Sequence, residues 1–323
     1  MHNGTPFVTA VIPTRNRSDL VVRAVRSSLN QSFNDLEVVV VIDGPDPATV
    51  ERLAEIDDER LHVIELPESV GGSEARNAGV RAARGEWIAF LDDDDEWLPT
   101  KIARQLDLAL KSRSRFPVIA TRMLGRTQNC DFLIPRRLPE PDECLSEYLF
   151  NRSSLFRGEA QLQTSMLFIN RELLLVVPFT SGLRRHQDTE WYLRIAQTTG
   201  VSVEFVPEPL GIWYLDENRK RIGTTNNWEY SLGWLRANKC RMTSRAYAGF
   251  IATQLGPEAS AQGDWNAFPL LLREMLSNGK PKPIDLAIYF GVWLVPRRLR
   301  LIIRSYIHRS KSQSPSDHAD RSG

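Results

Sequence analysis

Three cysteines in 323 residues, Cys130, Cys144 and Cys240, stand far apart, in an odd number and in no Cys-x-x-Cys pair. That spacing argues against a disulfide framework or a structural zinc site, and it fits a reducing compartment. An excess of either charge is also missing. The 41 Lys and Arg against 40 Asp and Glu leave a formal net charge of +1, so no overall field points to nucleic acid. Long hydrophobic runs are absent: the longest, Leu286 to Pro296, is about half the ~20 residues a spanning helix needs. Met1 to Pro6 has no basic stretch followed by an apolar one, so no secretory signal is expected. No internal repeat is found. These absences lead to the expectation of a cytoplasmic chain, with contact at the inner face of the plasma membrane left open by its C-terminus.

What is present centres on Trp87 to Trp97, an apolar run that stops at four consecutive aspartates, Asp92 to Asp95. The run reads as a buried strand. Four adjacent carboxylates repel and hold one another's protons unless a cation offsets them. Hard carboxylate oxygens suit Mg²⁺ or Mn²⁺, ions that usually bring substrate phosphates with them. A solvated acidic turn is the plain alternative. An EF-hand loop is excluded, because its obligatory sixth-position glycine is Trp97 here.

Upstream, Phe7 to Ile12, Leu36 to Ile42 and Leu61 to Leu66 read as three more strands, the second nearly continuous in valine and so buried on both faces. Between them run helices capped by Ser18 or Asp19, spanning Thr49 to Ile56, and opened by Ser73 and ended near Gly85. A further helix is expected to bury Ile102, Ala103, Leu106, Ala109 and Leu110. Alternation of this kind predicts a doubly wound, mainly parallel α/β sheet in the order 3-2-1-4. Pro13-Thr14, Asp43 and Asp92 to Asp94 then emerge on one edge, beside the reversal of strand order where such sheets bind ligands.

Beyond Thr121 the alternation fades. A short helix is expected near Leu145 to Phe150, and a strand over Gln163 to Ile169. A helix after Gln187 is expected to bury Trp191, Leu193, Ile195 and Ala196, followed by strands Val203 to Val206 and Leu210 to Tyr214. Trp228 to Leu276 has a helical pattern. Ile284 to His308 joins an apolar stretch with Tyr289, Phe290 and Trp293 to Arg297, Arg298, Arg300 and Arg304. Such a segment suits either an interface with anionic lipid or a helix docked on the protein's own core. The polar stretch 310–323 is expected to be disordered. The expected organisation is therefore 1–124 and 125–225 as two halves of one domain, 226–309 as a helical extension, and a tail.

Four motifs in this order carry a likeness: Val11 to Arg17, the Asp43-Gly44 turn, Gly71 to Gly79, and Phe90 to Trp97. Together they resemble the family 2 glycosyltransferases, over about Phe7 to Gly223. The resemblance implies the GT-A fold, with residues 1–124 binding the nucleotide sugar and 125–225 the acceptor. It also implies an inverting, metal-dependent reaction using a nucleotide-sugar donor, UDP-sugars favoured, and a saccharide or lipid-linked saccharide acceptor. Pro13, Thr14 and Arg17 would lie at the nucleotide, and Asp43 would accept from the imino N–H of the base. Many relatives have paired aspartates where this chain has Ile42-Asp43. Arg76 would meet the diphosphate, Asp92 and Asp93 the ribose and metal waters, and Asp94 the metal. Asn77 and Gly79 would serve helix–sheet packing.

For the base that takes the acceptor's proton, the resemblance points to Asp188 in His186-Gln187-Asp188-Thr189-Glu190. The competing role is a helix N-cap, and a helix N-terminus would lower its pKa. Glu190 and His186 are the reserve bases, Arg194 a candidate for orienting the loop or meeting phosphate, and Arg219, Lys220 and Arg221 candidates for closing over the diphosphate. A nucleotidyltransferase would want a glycine-rich loop after the first strand, which Pro13 to Arg17 lacks. A catalytically inactive nucleotide-sugar-binding module is the non-enzymatic rival.

Overall fold

The structure, a computed structural model, describes residues 6–128, 130–154, 159–215 and 227–295. The N-terminal half alternates β1 (Val8–Thr14), α1 (Ser18–Leu29), β2 (Leu36–Ile42), α2 (Pro47–Ala54), β3 (Leu61–Glu65), α3 (Gly72–Ala82) and β4 (Trp87–Phe90). These four strands are parallel and ordered β3-β2-β1-β4, as the alternation predicts. Every residue of β2 is buried, which accounts for its valine run. Val21, Ala24, Val25 and Leu29 of α1 pack on one face of the sheet; Val80 of α3 packs on the other.

Next come β5 (Asp95–Trp97), α4 (Lys101–Lys111), β6 (Phe116–Arg126), β7 (Asp131–Ile134) and α5 (Leu145–Phe150). They are followed by a 3-10 turn (Thr164–Met166), β8 (Phe168–Asn170), α6 (Arg171–Val176), α7 (Gln187–Ile195) and β9 (Val201–Tyr214). They extend the same sheet through β4-β8-β6-β9-β5, with β8 antiparallel to both its neighbours and β7 paired to β6. The division expected at 124/125 falls inside β6, so one sheet runs through both halves.

Several local expectations differ from the fold. Gln163 to Ile169 is not one strand: Thr164 and Ser165 turn inward to the acidic loop and only the end is extended. The two strands expected at Val203 and Leu210 are one, β9, bent at register shifts against β6. On α4, Leu110 is exposed, because the buried stripe is Lys101, Ile102, Gln105, Leu106 and Ala109. Gln105 is held inside by donating to the carbonyls of Ile119 and Met166, while Lys101 donates to Gln105 and lies over the Trp97 ring. On α7, Tyr192 takes the buried place expected of Ala196, which is exposed. Neither Ser18 nor Asp19 caps α1, and α3 opens one residue ahead of Ser73: Arg17 and Gly71 hold the cap positions, the latter at φ 89°.

The rest is helical: α8 (Trp228–Ala237), α9 (Ser244–Phe250), a π-helical segment (Ile251–Leu255), α10 (Gly256–Gln262), α11 (Ala267–Asn278) and α12 (Pro283–Leu294). Their core of Trp228, Trp234, Tyr247, Phe250, Met275, Tyr289 and Trp293 meets the sheet domain through Phe150 and Leu193. The described part of the C-terminal segment is thus docked by one face on the protein's own core. Arg297, Arg298, Arg300, Arg304 and the tail lie outside the described residues, as do Arg219, Lys220 and Arg221. Among the described residues no helix is long and apolar enough to cross a membrane. All three cysteines are free and exposed.

Candidate active site

Parallel strands end together, and the ends of β1 and β4 bring distant residues into one ionic network. Thr14, the last residue of β1, donates to Asp93 Oδ2 at 2.8 Å. Arg17, three residues on at the start of α1, donates to Asp93 Oδ1 at 2.8 Å and Asp94 Oδ2 at 3.1 Å. Arg23, one and a half turns further, donates to the Asp94 carbonyl at 2.9 Å while its guanidinium lies 3.9 Å over the Tyr214 ring. The acidic loop is therefore pinned from the α1 side by two guanidinium groups. Asp93 is buried, and burial raises its pKa to about 6, with Asp94 adding to the shift and Arg17 and Thr14 opposing it.

From the other side comes Arg76 on α3. Its Nη2 donates to Asp92 Oδ1 at 2.6 Å and to Thr164 at 3.2 Å, and its Nη1 lies 3.9 Å from Asp188 Oδ1. Thr164 donates in turn to Asp92, and Ser165 accepts from Asp92 N at 3.0 Å while donating to Asp95. Arg76 is 10% exposed, against 31% for Asp92 and 33% for Asp188, so the guanidinium forms the floor and the two carboxylates face outward. Burial works against its charge, but Asp92 and Asp188 hold it firmly protonated.

Asp188 is the second residue of α7, and His186, at φ 62°, holds the cap position. The N-cap alternative therefore does not apply, and the expected lowering of the Asp188 pKa is reversed. Burial raises it, Asp92 adds to the rise, and Arg76 opposes both. Tyr192, one helical turn after Asp188, is fully buried, and its hydroxyl has no partner among the described residues. The reserve bases are engaged elsewhere. Glu190 is buried and accepts from Thr180 and Arg194, with Arg241 3.6 Å away. His186 bonds Ser231 at 2.8 Å and lies 4.6 Å from the Trp234 ring at a tilt of 32°, and burial with the nearby Arg185 charge lowers its pKa to about 4. Arg194 reaches the Pro178 carbonyl and Glu190, so it orients the loop ahead of α7.

Asp43 lies on the same edge, its N–H donating to Thr14 O at 2.9 Å. Its carboxylate accepts from Val70 N at 2.7 Å, from Gly71 N and from Ser69 Oγ, and so holds the loop that opens α3. Gly44 is required there: at φ 96°, an added Cβ would lie 2.9 Å from Ser69 N. Pro13 precedes Thr14 in β1, in register with Val41 of β2. Gly79 serves the helix–sheet approach, since a Cβ would fall 2.3 Å from Val11 Cγ1. Asn77 instead exchanges two hydrogen bonds with the Phe179 backbone and ties α3 to the segment leading into α7.

Sequence reasoning missed Thr164, Ser165, Arg23 and Asp46. Asp46 caps α2 and accepts from Asn16 N at 2.8 Å, which fixes the loop after β1. A signal existed for Thr164-Ser165: two hydroxyls interrupting an apolar run meant to be a buried strand.

The donor set at Asp92 and Asp94 suits a hard cation that takes one or two carboxylates and completes its shell with phosphate oxygens and water. Among the described residues no three carboxylate, imidazole or thiolate groups gather to hold an ion by themselves. A bound substrate would therefore have to supply ligands.

Comparison with known proteins agrees with this architecture. The family model for Glycosyl transferase family 2 matches residues 9–129. The amylovoran biosynthesis glycosyltransferase AmsB of Erwinia amylovora is 28% identical over 260 residues, covering 76% of this chain and 82% of that protein. Other relatives match about a third of this chain and span 30% and 47% of their own lengths. Among solved structures, S. aureus TarS 1-349 in complex with UDP-GlcNAc superposes with a TM-score of 0.59 at 16% identity, over 94% of this chain and 87% of that one. The Pyrobaculum calidifontis mannosyltransferase PcManGT, in complex with GDP-Man and Mn²⁺, superposes with a TM-score of 0.52 at 18% identity, over 96% and 81%. Both likenesses bear on the fold.

Proposed function

We propose, from the premise that this chain belongs to glycosyl transferase family 2, that it transfers a sugar with inversion from a nucleoside-diphosphate donor to a hydroxyl acceptor in the synthesis of a cell-surface polysaccharide or glycolipid. The observation that carries the reading is the pair of ionic chains Thr14–Asp93–Arg17–Asp94 and Asp92–Arg76–Asp188, joined through the consecutive aspartates of one loop at one sheet edge. Asp188 is the base: it takes the acceptor hydroxyl's proton as that oxygen bonds to the anomeric carbon and the bond to the diphosphate breaks. Its raised pKa supports this role, since a carboxylate that holds a proton more tightly is a stronger base. Arg76 opposes that rise and offers a guanidinium toward the departing diphosphate. Arg17 and Thr14 hold Asp93 and Asp94 in position.

Asp94, with Asp92 beside it, would hold a divalent cation of the Mg²⁺ or Mn²⁺ class. When bound, that ion offsets the charge growing on the leaving diphosphate. PcManGT is described with Mn²⁺, and TarS with a UDP-sugar, which favours this class of ligands here. Asp43 would face the base, but its carboxylate already holds residues 69–71, so it acts on the nucleotide through that loop as well as by direct acceptance. A panel of nucleotide sugars incubated with Mn²⁺ and scored for slow hydrolysis tests the reading. Release of a nucleoside diphosphate from one donor, lost in Asp188→Asn, is expected. No turnover of any donor, with binding retained, would instead make the chain a binding module.

A further inference from the structure

Asp188 owes its position to the backbone rather than to bonds of its own. Among the described residues nothing donates a hydrogen bond to its carboxylate, and Arg76 Nη1 is 3.9 Å away, beyond hydrogen-bond reach. The direction of the carboxylate therefore depends on how α7 begins. It begins on His186 at φ 62°, a conformation that a residue with a Cβ keeps only where its surroundings hold it.

Those surroundings belong to the helical extension. His186 Nε2 lies 2.8 Å from Ser231 Oγ on α8, and its ring is 5.4 Å from that of Phe250. Ser231, fully buried, donates in turn to Glu258 Oε2 on α10 at 3.2 Å. The serine has one proton and gives it to the carboxylate, so the imidazole carries its own on Nε2 and donates it to Ser231. Glu258 also grips Arg185, the residue before His186: Nη1 donates to Oε2 at 2.9 Å and Nη2 to Oε1. Both side chains of that pair are largely buried. Two ties flank it. Arg184 N donates to the Tyr230 hydroxyl at 3.3 Å, and Arg241, just beyond α8, stands 3.6 Å from Glu190 in the first turn of α7.

The helix that carries Phe250 and Glu258 is interrupted in a way that serves this grip. Eight residues apart, the two would lie about 80° apart around an unbroken α-helix. The π-helical segment Ile251–Leu255 between them takes up an extra residue and brings them to within about 20°. An aromatic ring and a carboxylate from successive turns thus meet the same short stretch, His186 and Arg185.

We infer that Ser231 and Glu258 are positioning residues for the base: through His186 and Arg185 they fix the first turn of α7, and with it the direction in which Asp188 meets the acceptor hydroxyl. The inference rests on the reading of Asp188 as that base. It makes the helical extension part of the catalytic geometry.

The test uses the full chain as wild type, Glu258→Ala and Ser231→Ala, each alone and combined with Asp188→Asn. Amide hydrogen exchange over 184–190 is followed with 87–97 as the internal control, and each variant is melted. Release of nucleoside diphosphate from UDP-glucose, UDP-N-acetylglucosamine and GDP-mannose with Mn²⁺ supplies kcat and KM. In Glu258→Ala, exchange over 184–190 should quicken by about fivefold or more while 87–97 is unchanged. Its kcat should fall by about tenfold or more with the donor KM held, because a misplaced base slows the step without weakening donor binding. Combined with Asp188→Asn it should add no further loss. Ser231→Ala should change the same quantities in the same direction, and it decides the matter if Glu258→Ala does not fold. A contact that only stabilises would lower the melting transition and leave kcat unmoved, which would overturn the inference. Unchanged exchange over 184–190, or a loss that multiplies with that of Asp188→Asn, would overturn it too. Wild-type turnover by Asp188→Asn would sink the base assignment itself, a failure told apart from the others because exchange over 184–190 does not depend on what Asp188 does.

Discussion

Replacing Asp188 by Asn separates catalysis from stability more sharply than any other change at this site. The substitution is nearly isosteric and removes one negative charge 3.9 Å from Arg76 Nη1. At that distance the direct attraction is worth about 4 kcal/mol with the effective dielectric of a protein surface. Yet the Asp188 pKa is raised, so the cost of enclosing the carboxylate exceeds what Arg76 returns. A carboxylate with a raised folded-state pKa contributes stability that is present in acid and lost as pH climbs through that pKa. Above that pKa the enclosed carboxylate works against the fold, so Asn should leave the thermal midpoint unchanged or move it up. Arg76 keeps Asp92 at 2.6 Å as its partner. Transfer should fall by about 10²–10⁴, or roughly 3–5 kcal/mol of barrier, with donor affinity by calorimetry unaltered. In wild type, kcat/KM should rise with pH through a midpoint above the ordinary aspartate value. Transfer within a few-fold of wild type would refute the assignment of the base, and a large loss of stability would show Asp188 to be structural.

The remaining expectations follow from the same network. Asp94→Ala should abolish metal-dependent binding of a nucleoside diphosphate in calorimetric titration while leaving the fold intact, since Arg17 retains Asp93. Arg76→Ala should cost about 2–3 kcal/mol in chemical denaturation, below the ~3–5 kcal/mol of a fully buried pair, because Asp92 and Asp188 are each about a third exposed. His186, with its pKa lowered to about 4, should withdraw stability as pH falls from its ordinary value of 6.5 toward 4, by about 3 kcal/mol in total. His186→Asn tolerates the positive φ and should flatten that dependence. Gly79→Ala should cost about 1–3 kcal/mol by thermal melting, since its Cβ meets the fully buried Val11.

The sequence is most legible where local pattern and tertiary structure agree. The valine run of β2 is inside because parallel strands are covered on both faces, and the order β3-β2-β1-β4 is the one expected of a doubly wound sheet. Legibility fails where polar side chains are internal. Thr164 and Ser165 look like defects in a strand until the acidic loop they bond to is next to them, and that adjacency spans 70 and 72 residues. Gln105 and Lys101 were hidden the same way: a stripe counted in apolar residues alone selects Leu110, while hydrogen bonds to Ile119 and Met166 pull the amide inward.

Asp188 illustrates the same limit in energy. A helix N-terminus lowers a carboxylate pKa by a few tenths of a kcal/mol to about 1 kcal/mol in exposed settings. Burial beside Tyr192 and Asp92 acts in the other direction and prevails, and only the packing reveals which effect is larger. The motif picks out Asp188 as the proposed base, but the strength of that carboxylate as a base is set by α3, α7 and the acidic loop around it. A substitution at any of the three that admits water should move the acid limb of the rate profile down, toward an ordinary aspartate, without touching a reacting atom.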